Sequence, residues 1–362
     1  MNNTFKKTGL AVALAAAIGA STSANAAVEL YSEAGTSFSV DGYFNAFYIN
    51  REDKLNDVTN SDVKMGFLPN TIGFNFSKEF GDLTLGGRSS FWATINDSLD
   101  NPTDTAIDVR QFYATVDGDF GQVLLGKDFG LFARSNIFLD EILLGFGSPG
   151  LNPNGVSFGN IRSGYPYPTP SAQITYRSPD MSGLNVAVGI FEPANTTPGA
   201  ESEQSAPRFE AEATYAIDLG GVAVTGWVNG RSQKSENATT SISSTGVGYG
   251  LKASVAGLSL TASGFTSEGD QPILIVNGPL ATEEDADGYL VQGSYTLGAN
   301  RFVVSYGESD SDYGYETENT SFGVFHDVNS NFKLVAEYNM FEATGIIADE
   351  SDTLALGAVV LF

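Results

Sequence analysis

Period-2 alternation governs this chain. Stretches of about ten residues set apolar and polar side chains at alternate positions, the pattern of strands rather than helices. The reading predicts strands at 38–50, 69–80, 83–95, 107–118, 122–130, 170–178, 184–192 and 207–217. It continues at 221–231, 245–256, 258–267, 287–297, 300–309, 318–328, 331–342 and 352–362, sixteen in all. The connections alternate strictly in length. Short ones fall at Gly81-Asp82, Gly118–Gly121, Pro179–Gly183, Leu219-Gly220, Ala256-Gly257, Gly298–Asn300 and Asn329-Ser330. Long ones fall near 51–68, 96–106, 131–169, 193–206, 232–244, 268–286, 310–317 and 343–351. An up-and-down sheet with tight turns at one end and long loops at the other has this rhythm. Both chain ends then lie on the turn side.

An even-numbered antiparallel barrel with short periplasmic turns and long extracellular loops is how strands span an outer membrane. Hydrocarbon offers no partner to a free backbone edge, so the sheet must close. Sixteen strands enclose a lumen too wide for side chains to fill, which implies an aqueous channel. The faces agree. In 331–342, Phe332, Leu334, Ala336, Tyr338 and Met340 alternate with Lys333, Val335, Glu337 and Asn339. In 207–217, Phe209, Ala211, Ala213 and Tyr215 alternate with Glu210, Glu212 and Thr214. Arg or Lys facing lipid at mid-depth costs about 2–4 kcal/mol, so the charged rows must face the lumen. Tyr48, Tyr113, Tyr215, Tyr295, Tyr306 and Tyr338 stand near strand ends and suit an interfacial girdle. A secreted β-sandwich also alternates, but it has larger inner rows and no reason to order its connections so strictly.

The chain has no cysteine and one histidine, His326, which excludes a disulfide framework, a thiolate metal site and a multi-histidine metal site. With 43 Asp and Glu against 18 Lys and Arg it has no basic face for nucleic acid. Residues 1–26 are of another kind: Lys6 and Lys7, the apolar LAVALAAAIGA, then Ala24-Asn25-Ala26. This is the pattern of a cleaved secretory signal, and the mature barrel is expected over 27–362. No window reaches the length of a transmembrane helix.

Several stretches resemble the general diffusion porins of Gram-negative bacteria. They are VDGYFNAFY at 40–48, NTIGFNF at 70–76, VRQFYATVDGDFGQVLLGKDFG at 109–130, AQITYRSPDMSGLNVAVG at 172–189, and a last strand ending in Phe362. The resemblance implies a sixteen-stranded, trimeric outer-membrane barrel whose third loop folds inward and narrows the pore. Its partners would be small hydrophilic solutes and ions, outer-membrane lipid and lipopolysaccharide, and the barrel-assembly machinery, which would read Phe362; no cofactor is implied. Residues 131–169 are the longest connection and suit the third loop. Their FLDEILLGFG stretch, 138–147, is too apolar for an exposed loop and needs burial.

The resemblance also implies basic wall residues facing acids on this loop. Arg110 and Arg177 match two basic positions, on the fourth and sixth strands, while Asn45 and Thr71 stand at two others that are here neutral. Arg88 is expected to face inward in register with Trp92, and Asp140 and Glu141 are the loop's only acids. The arginines could equally pair with lumen acids, and the two acids could be ordinary wall ion pairs. The acid-rich ESDSDYGYETE at 308–318 lacks calcium-loop spacing and reads as a solvated outer loop. A passive diffusion pore with a mild cation preference is the function expected from the acidic lumen and loops. A sugar-specific channel would use inward aromatics, here Tyr43, Phe47, Trp92, Phe112 and Trp227. A barrel enzyme would need a histidine near the outer loops, and His326 is expected at the turn end.

Overall fold

The computed structural model describes residues 27–96, 107–148, 157–195, 202–269, 283–345 and 348–362; the expected signal segment 1–26 lies outside them. The strands are β1 (Val28–Glu33), β2 (Thr36–Asp53), β3 (Val58–Lys64), β4 (Asn70–Phe80), β5 (Leu83–Ala93), β6 (Ile107–Gly118), β7 (Gly121–Asp128), β8 (Ser171–Arg177) and β9 (Leu184–Phe191). They continue as β10 (Arg208–Asp218), β11 (Ala223–Glu236), β12 (Ser241–Val255), β13 (Leu258–Glu268), β14 (Asp285–Leu297), β15 (Asn300–Ser311), β16 (Tyr315–Asn329), β17 (Phe332–Gly345) and β18 (Asp349–Leu361). A five-residue helix, α1 (Arg134–Phe138), lies between β7 and β8.

The barrel proper is β2 and β4–β18, a closed antiparallel ring of sixteen strands. Each predicted strand is present within a few residues of its expected bounds. The ring closes where β18 pairs with β2, from Ser351 opposite Asp53 to Leu361 opposite Tyr43, while β2 pairs with β4 on its other edge. Tight turns join the strands at one end. At Ala256-Gly257, φ is 49° and 86°, the two left-handed residues that a hairpin turn needs to match the twist of its strands.

Two short strands escaped the sequence reading because they lengthen existing pairings. β3 lies within the predicted loop 51–68 and pairs with the loop-end half of β2. β1 turns back on the turn-end half of β2, with Val28 opposite Val40. It therefore continues the line of β18, whose Phe362 exchanges backbone hydrogen bonds with Gly42 at 2.8 and 3.1 Å. The Phe362 ring lies on the outer face over Gly42 and stacks on Phe44 at 5.9 Å.

Burial follows the expected faces. Leu334, Tyr338 and Met340 are exposed on the outside, whereas Val335, Glu337 and Asn339 are buried inside. The same holds for Phe209 and Tyr215 against Glu210 and Glu212. An outside rich in Phe, Leu, Val and Tyr around a polar interior is the arrangement a bilayer demands.

One strand departs from simple alternation. Ser90 of β5 faces Gln111 and Trp92 faces Asp108, so β6 carries one extra residue between them. A bulge re-aims the side chains that follow it. Phe112, expected inward, is 60 % exposed on the outside. Tyr113, expected in the girdle, instead lies near Arg88, Asp128, Arg134 and Arg177 in the lumen. Arg110 still reaches the lumen because it sits in the bulge itself.

Removing Phe362 takes away a backbone pair at the seam and a ring stacked on Phe44. Deletion is expected to reduce the heat-modifiable, folded barrel recovered from outer membranes while leaving the conductance of assembled pores unchanged. Both are read from gel mobility and planar-bilayer recordings; normal recovery would make the ring dispensable for closure.

Candidate functional site: the lumen and its inward loop

In its described parts, 129–148 and 157–170, the segment between Asp128 and Ser171 leaves the wall and runs inside the barrel. The lumen acids hold it there. Glu210 of β10 accepts from the backbone N–H of Leu131 and Phe132 at 2.6 and 3.0 Å, and also pairs with Arg208 at 2.8 Å. Glu212 accepts from the Ser135 N–H and hydroxyl at 3.2 and 2.7 Å, and Asn229 Oδ1 accepts from the Ala133 N–H at 2.9 Å. Far along the loop, Glu337 of β17 accepts from Phe146 and Gly147 N–H at 3.0 and 2.5 Å. Backbone donors turned inward in a loop need acceptors, and carboxyl oxygens supply them.

Beyond these, the wall gives way to the loop. The Ser163 carbonyl oxygen lies where a Cβ on Gly307 would stand, so only glycine lets the loop lie flat on β15 there. Next to it, Gly164 N–H donates to Ser309 Oγ at 2.9 Å and the Thr317 hydroxyl donates to the Arg162 carbonyl. The apolar stretch is buried as its composition requires: Ile142, Leu143, Leu144 and Phe146 join one cluster with wall residues such as Phe265, Leu290 and Phe325.

A second segment, 65–69, also folds inward. The Phe67 N–H donates to the Gly145 carbonyl at 2.9 Å, tying it to the loop. Asn45 organises this segment: its Oδ1 accepts from Gly66 N–H at 2.5 Å and its Nδ2 donates to Leu68 O at 2.8 Å. Thr71 Oγ1 donates to Pro69 O at 3.0 Å. Both side chains are buried in that fold.

The loop acids turn away from the matched arginines. Glu141 receives Lys252 Nζ at 2.6 Å, Ser259 at 2.9 Å, Ser294 at 3.1 Å and Arg301 at 3.1 Å, and so clasps four consecutive strands, β12 to β15. Asp140 is buried and accepts only from neutral groups: the Tyr165 hydroxyl, Gln292 Nε2 at 2.6 Å, Asn160 Nδ2 at 3.1 Å and Ile142 N–H at 2.9 Å. Neither acid bonds to Arg88, Arg110 or Arg177. The three arginines lie on the other side, on β5, β6 and β8. Arg88 is consumed by Asp41 (2.5 and 2.9 Å), Asn75 (2.7 Å) and Gln111 (2.9 Å). Arg177 lies among Tyr113, Asp128, Arg134 and Glu212, with its Nε buried and unpartnered. Arg110 bonds Asp108 at 2.8 Å and the Tyr167 hydroxyl at 2.9 Å.

The family model for Gram-negative porins matches residues 11–345 of this chain. The chain belongs to that family. Relatives include outer membrane protein U of Vibrio parahaemolyticus, 26 % identical over 384 residues and covering 98 % of each chain. Porin-like protein L of Photobacterium profundum is 26 % identical over 366 residues, covering 96 % of this chain and 97 % of that one. Among solved structures, an anion-selective porin from Comamonas acidovorans superposes with a TM-score of 0.69 at 12 % identity, over 90 % of this chain and all of that one. The channel DcaP of Acinetobacter baumannii gives 0.69 at 17 %, over 92 % of this chain and all of that one. Porin family and barrel together place the protein in the Gram-negative outer membrane.

Sequence reasoning had found this porin's inward acids Glu210, Glu212 and Glu337 but not their work. An inward carboxylate every second residue signals a lumen face; it does not say that a loop backbone will claim it. Asp140 shows the energetic consequence. Burial pushes its carboxyl up, against the hydrogen bonds of Tyr165, Gln292, Ile142 and Asn160, which lower it. A carboxyl raised in the folded state favours folding below its unfolded value, and that contribution is lost as pH rises through the folded value. Asp140→Asn is therefore expected to flatten the pH dependence of barrel stability from about pH 4 upward, with its relative benefit greatest at neutral pH. Heat-modifiability midpoints across that range check it; an unchanged slope would mean that Asp140 titrates as an ordinary acid.

Proposed function

We propose that this porin is a passive, water-filled diffusion channel for small hydrophilic solutes and ions, narrowed by the loop 131–169 and mildly cation-preferring. The observation that carries the reading is a loop held inside a closed barrel by acceptors from β10 to β17. Such a loop subtracts from the lumen without sealing a compact core of its own. Gly307→Val drives a side chain into the Ser163 carbonyl. It is expected to displace the loop and raise single-channel conductance, and unchanged conductance would remove the loop from the narrowing.

The cation preference rests on the mouth rather than the wall. Glu210, Glu212 and Glu337 are buried under the loop. Acids instead crowd the loop ends of β14–β16 on the outward row of the wall, where Asp287 faces Asp310, Asp310 faces Glu316, and Glu308, bonded to Tyr289 and Tyr306, faces Glu318. A mouth of one sign concentrates counter-ions. The reversal potential in a potassium chloride gradient should fall on the cation side, and an anion-side value would overturn the preference.

A sugar-specific channel is the second reading, since Tyr43, Phe47, Trp92 and Trp227 do turn inward. All four are buried rather than aligned on an open track, which favours the general pore. Conductance growing linearly with salt and no block by a sugar panel are expected; saturable block by one sugar would reverse the choice. Enzymatic chemistry finds no support at His326, whose Nδ1 lies 2.9 Å from Asn300 Oδ1 at the turn end. Trimeric assembly is supported by a trimer-form structure among similar folds. Cleavage after Ala26, contact with lipopolysaccharide, and recognition of Phe362 by the barrel-assembly machinery complete the proposal.

A further inference from the structure

The inward loop turns apolar side chains, not its charges, toward the water of the lumen. Its charged residues among those described are Arg134, Asp140, Glu141 and Arg162, and all four are buried. What stays partly exposed is Phe138, Leu139, Phe158 and Tyr167, with the hydroxyl residues Ser135 and Thr169. The Ser135 hydroxyl is given to Glu212 at 2.7 Å, and that of Thr169 turns back on the Tyr167 carbonyl at 3.4 Å. The remaining surface is therefore mostly hydrocarbon and ring. It stands inside a closed barrel, where neither lipid nor a neighbouring subunit reaches. Only water, ions and passing solutes can meet it.

The rings are also held in place. Phe129, itself buried, stands edge-on to Phe138, Tyr167 and Trp92 at 5.4, 6.1 and 6.0 Å. The Arg134 guanidinium lies 5.1 Å from the Phe138 centroid, and the Arg162 guanidinium 4.2 Å from that of Phe158. Phe138, Phe158 and Tyr167 all pack against one apolar cluster that includes Phe129, Leu143 and Phe146. Rings fixed before a solute arrives lose little freedom in binding it. Their open sides offer edge-to-face or offset contact to another ring, an attraction beyond what apolar area alone supplies.

We propose that the exposed side of the inward loop is a subsite for hydrophilic solutes that carry an aromatic ring. Phe138 and Phe158 are its contact residues, and Phe129 is a positioning residue. This deepens the channel function proposed above, on which it rests: the pore sorts by ring as well as by size. The preference attaches to the ring and not to a sugar, so the choice against a sugar-specific channel stands. Contact of this strength is weak enough for the solute to leave again, and it raises passage rather than stopping it.

Swelling of liposomes that hold the full-length porin, and current through it in planar bilayers, test this with methyl, cyclohexyl and phenyl β-glucosides. A plain sieve passes the phenyl and cyclohexyl compounds alike, and both more slowly than the smaller methyl compound. The wild-type pore should pass phenyl glucoside about twofold to tenfold faster than cyclohexyl glucoside, the gain expected of one aromatic contact. Phenyl glucoside should also interrupt the current more often than the other two. Phe138→Leu and Phe158→Leu keep apolar bulk and remove the ring. Each should bring the phenyl rate toward the cyclohexyl rate while methyl glucoside flux and single-channel conductance stay at wild-type values. Phe138→Tyr keeps the ring and should keep the preference. If Phe138→Leu raises conductance by loosening the loop, Phe158→Leu decides. Equal phenyl and cyclohexyl fluxes through the wild-type pore overturn the inference. So does a ring preference that survives the double variant at wild-type conductance. Absence of both methyl glucoside flux and ion conductance in the wild-type barrel would instead sink the channel function itself.

Discussion

Backbone crossing hydrocarbon must find every hydrogen-bond partner within the protein, and this requirement shapes everything else here. Helices meet it locally; strands meet it only by closing. The decisive contact is therefore the pairing of β18 with β2, between the two ends of the chain. It forces Phe362 to stop opposite Gly42 and leaves the remaining edge of β2 for β1 to cover. It also forces an even number of strands once both chain ends share a side. The lumen that results is too wide for its own side chains to fill.

A loop turns into that lumen, and it brings unpaired N–H groups with it. The wall answers with carboxylates at Glu210, Glu212 and Glu337, each accepting from the loop backbone or a loop hydroxyl. A buried carboxyl is costly when unpaired, yet several directed donors offset that cost. Leaving one such N–H without an acceptor costs about 1–3 kcal/mol. Acids that look from the sequence like pore charge are thus spent on holding the loop.

How legible this was differs by level. The strands were readable because lipid and lumen impose opposite chemistries on alternate residues, as in Glu210 and Glu212 between Phe209, Ala211 and Ala213. The burial of 138–147 was readable from its apolar content alone. The bulge in β6 was not: it exchanges the expected faces of Phe112 and Tyr113 with no glycine or proline to announce it. Nor was the partner of Glu141. Lys252 and Arg301 lie more than a hundred residues away, and only the closed register brings them to one carboxylate. The fold-back of 65–69 was hidden for the same reason, since Asn45 and Gly145 are its partners.

The two sides of the wall consequently serve different ends. Where the chain turns inward after Asp128 it stops climbing, so β7, β8 and β9 have eight, seven and eight residues, against 14 in β11, 15 in β12 and 15 in β16. The tall side, β10 to β17, grips the loop; the side from β5 to β8 carries Arg88, Arg110 and Arg177. Substitutions at Glu210, Glu212 or Glu337 must disturb the loop before they alter any field in the pore. The acids of the tall side hold the loop backbone, whereas Arg110 meets the loop at a side chain, the Tyr167 hydroxyl.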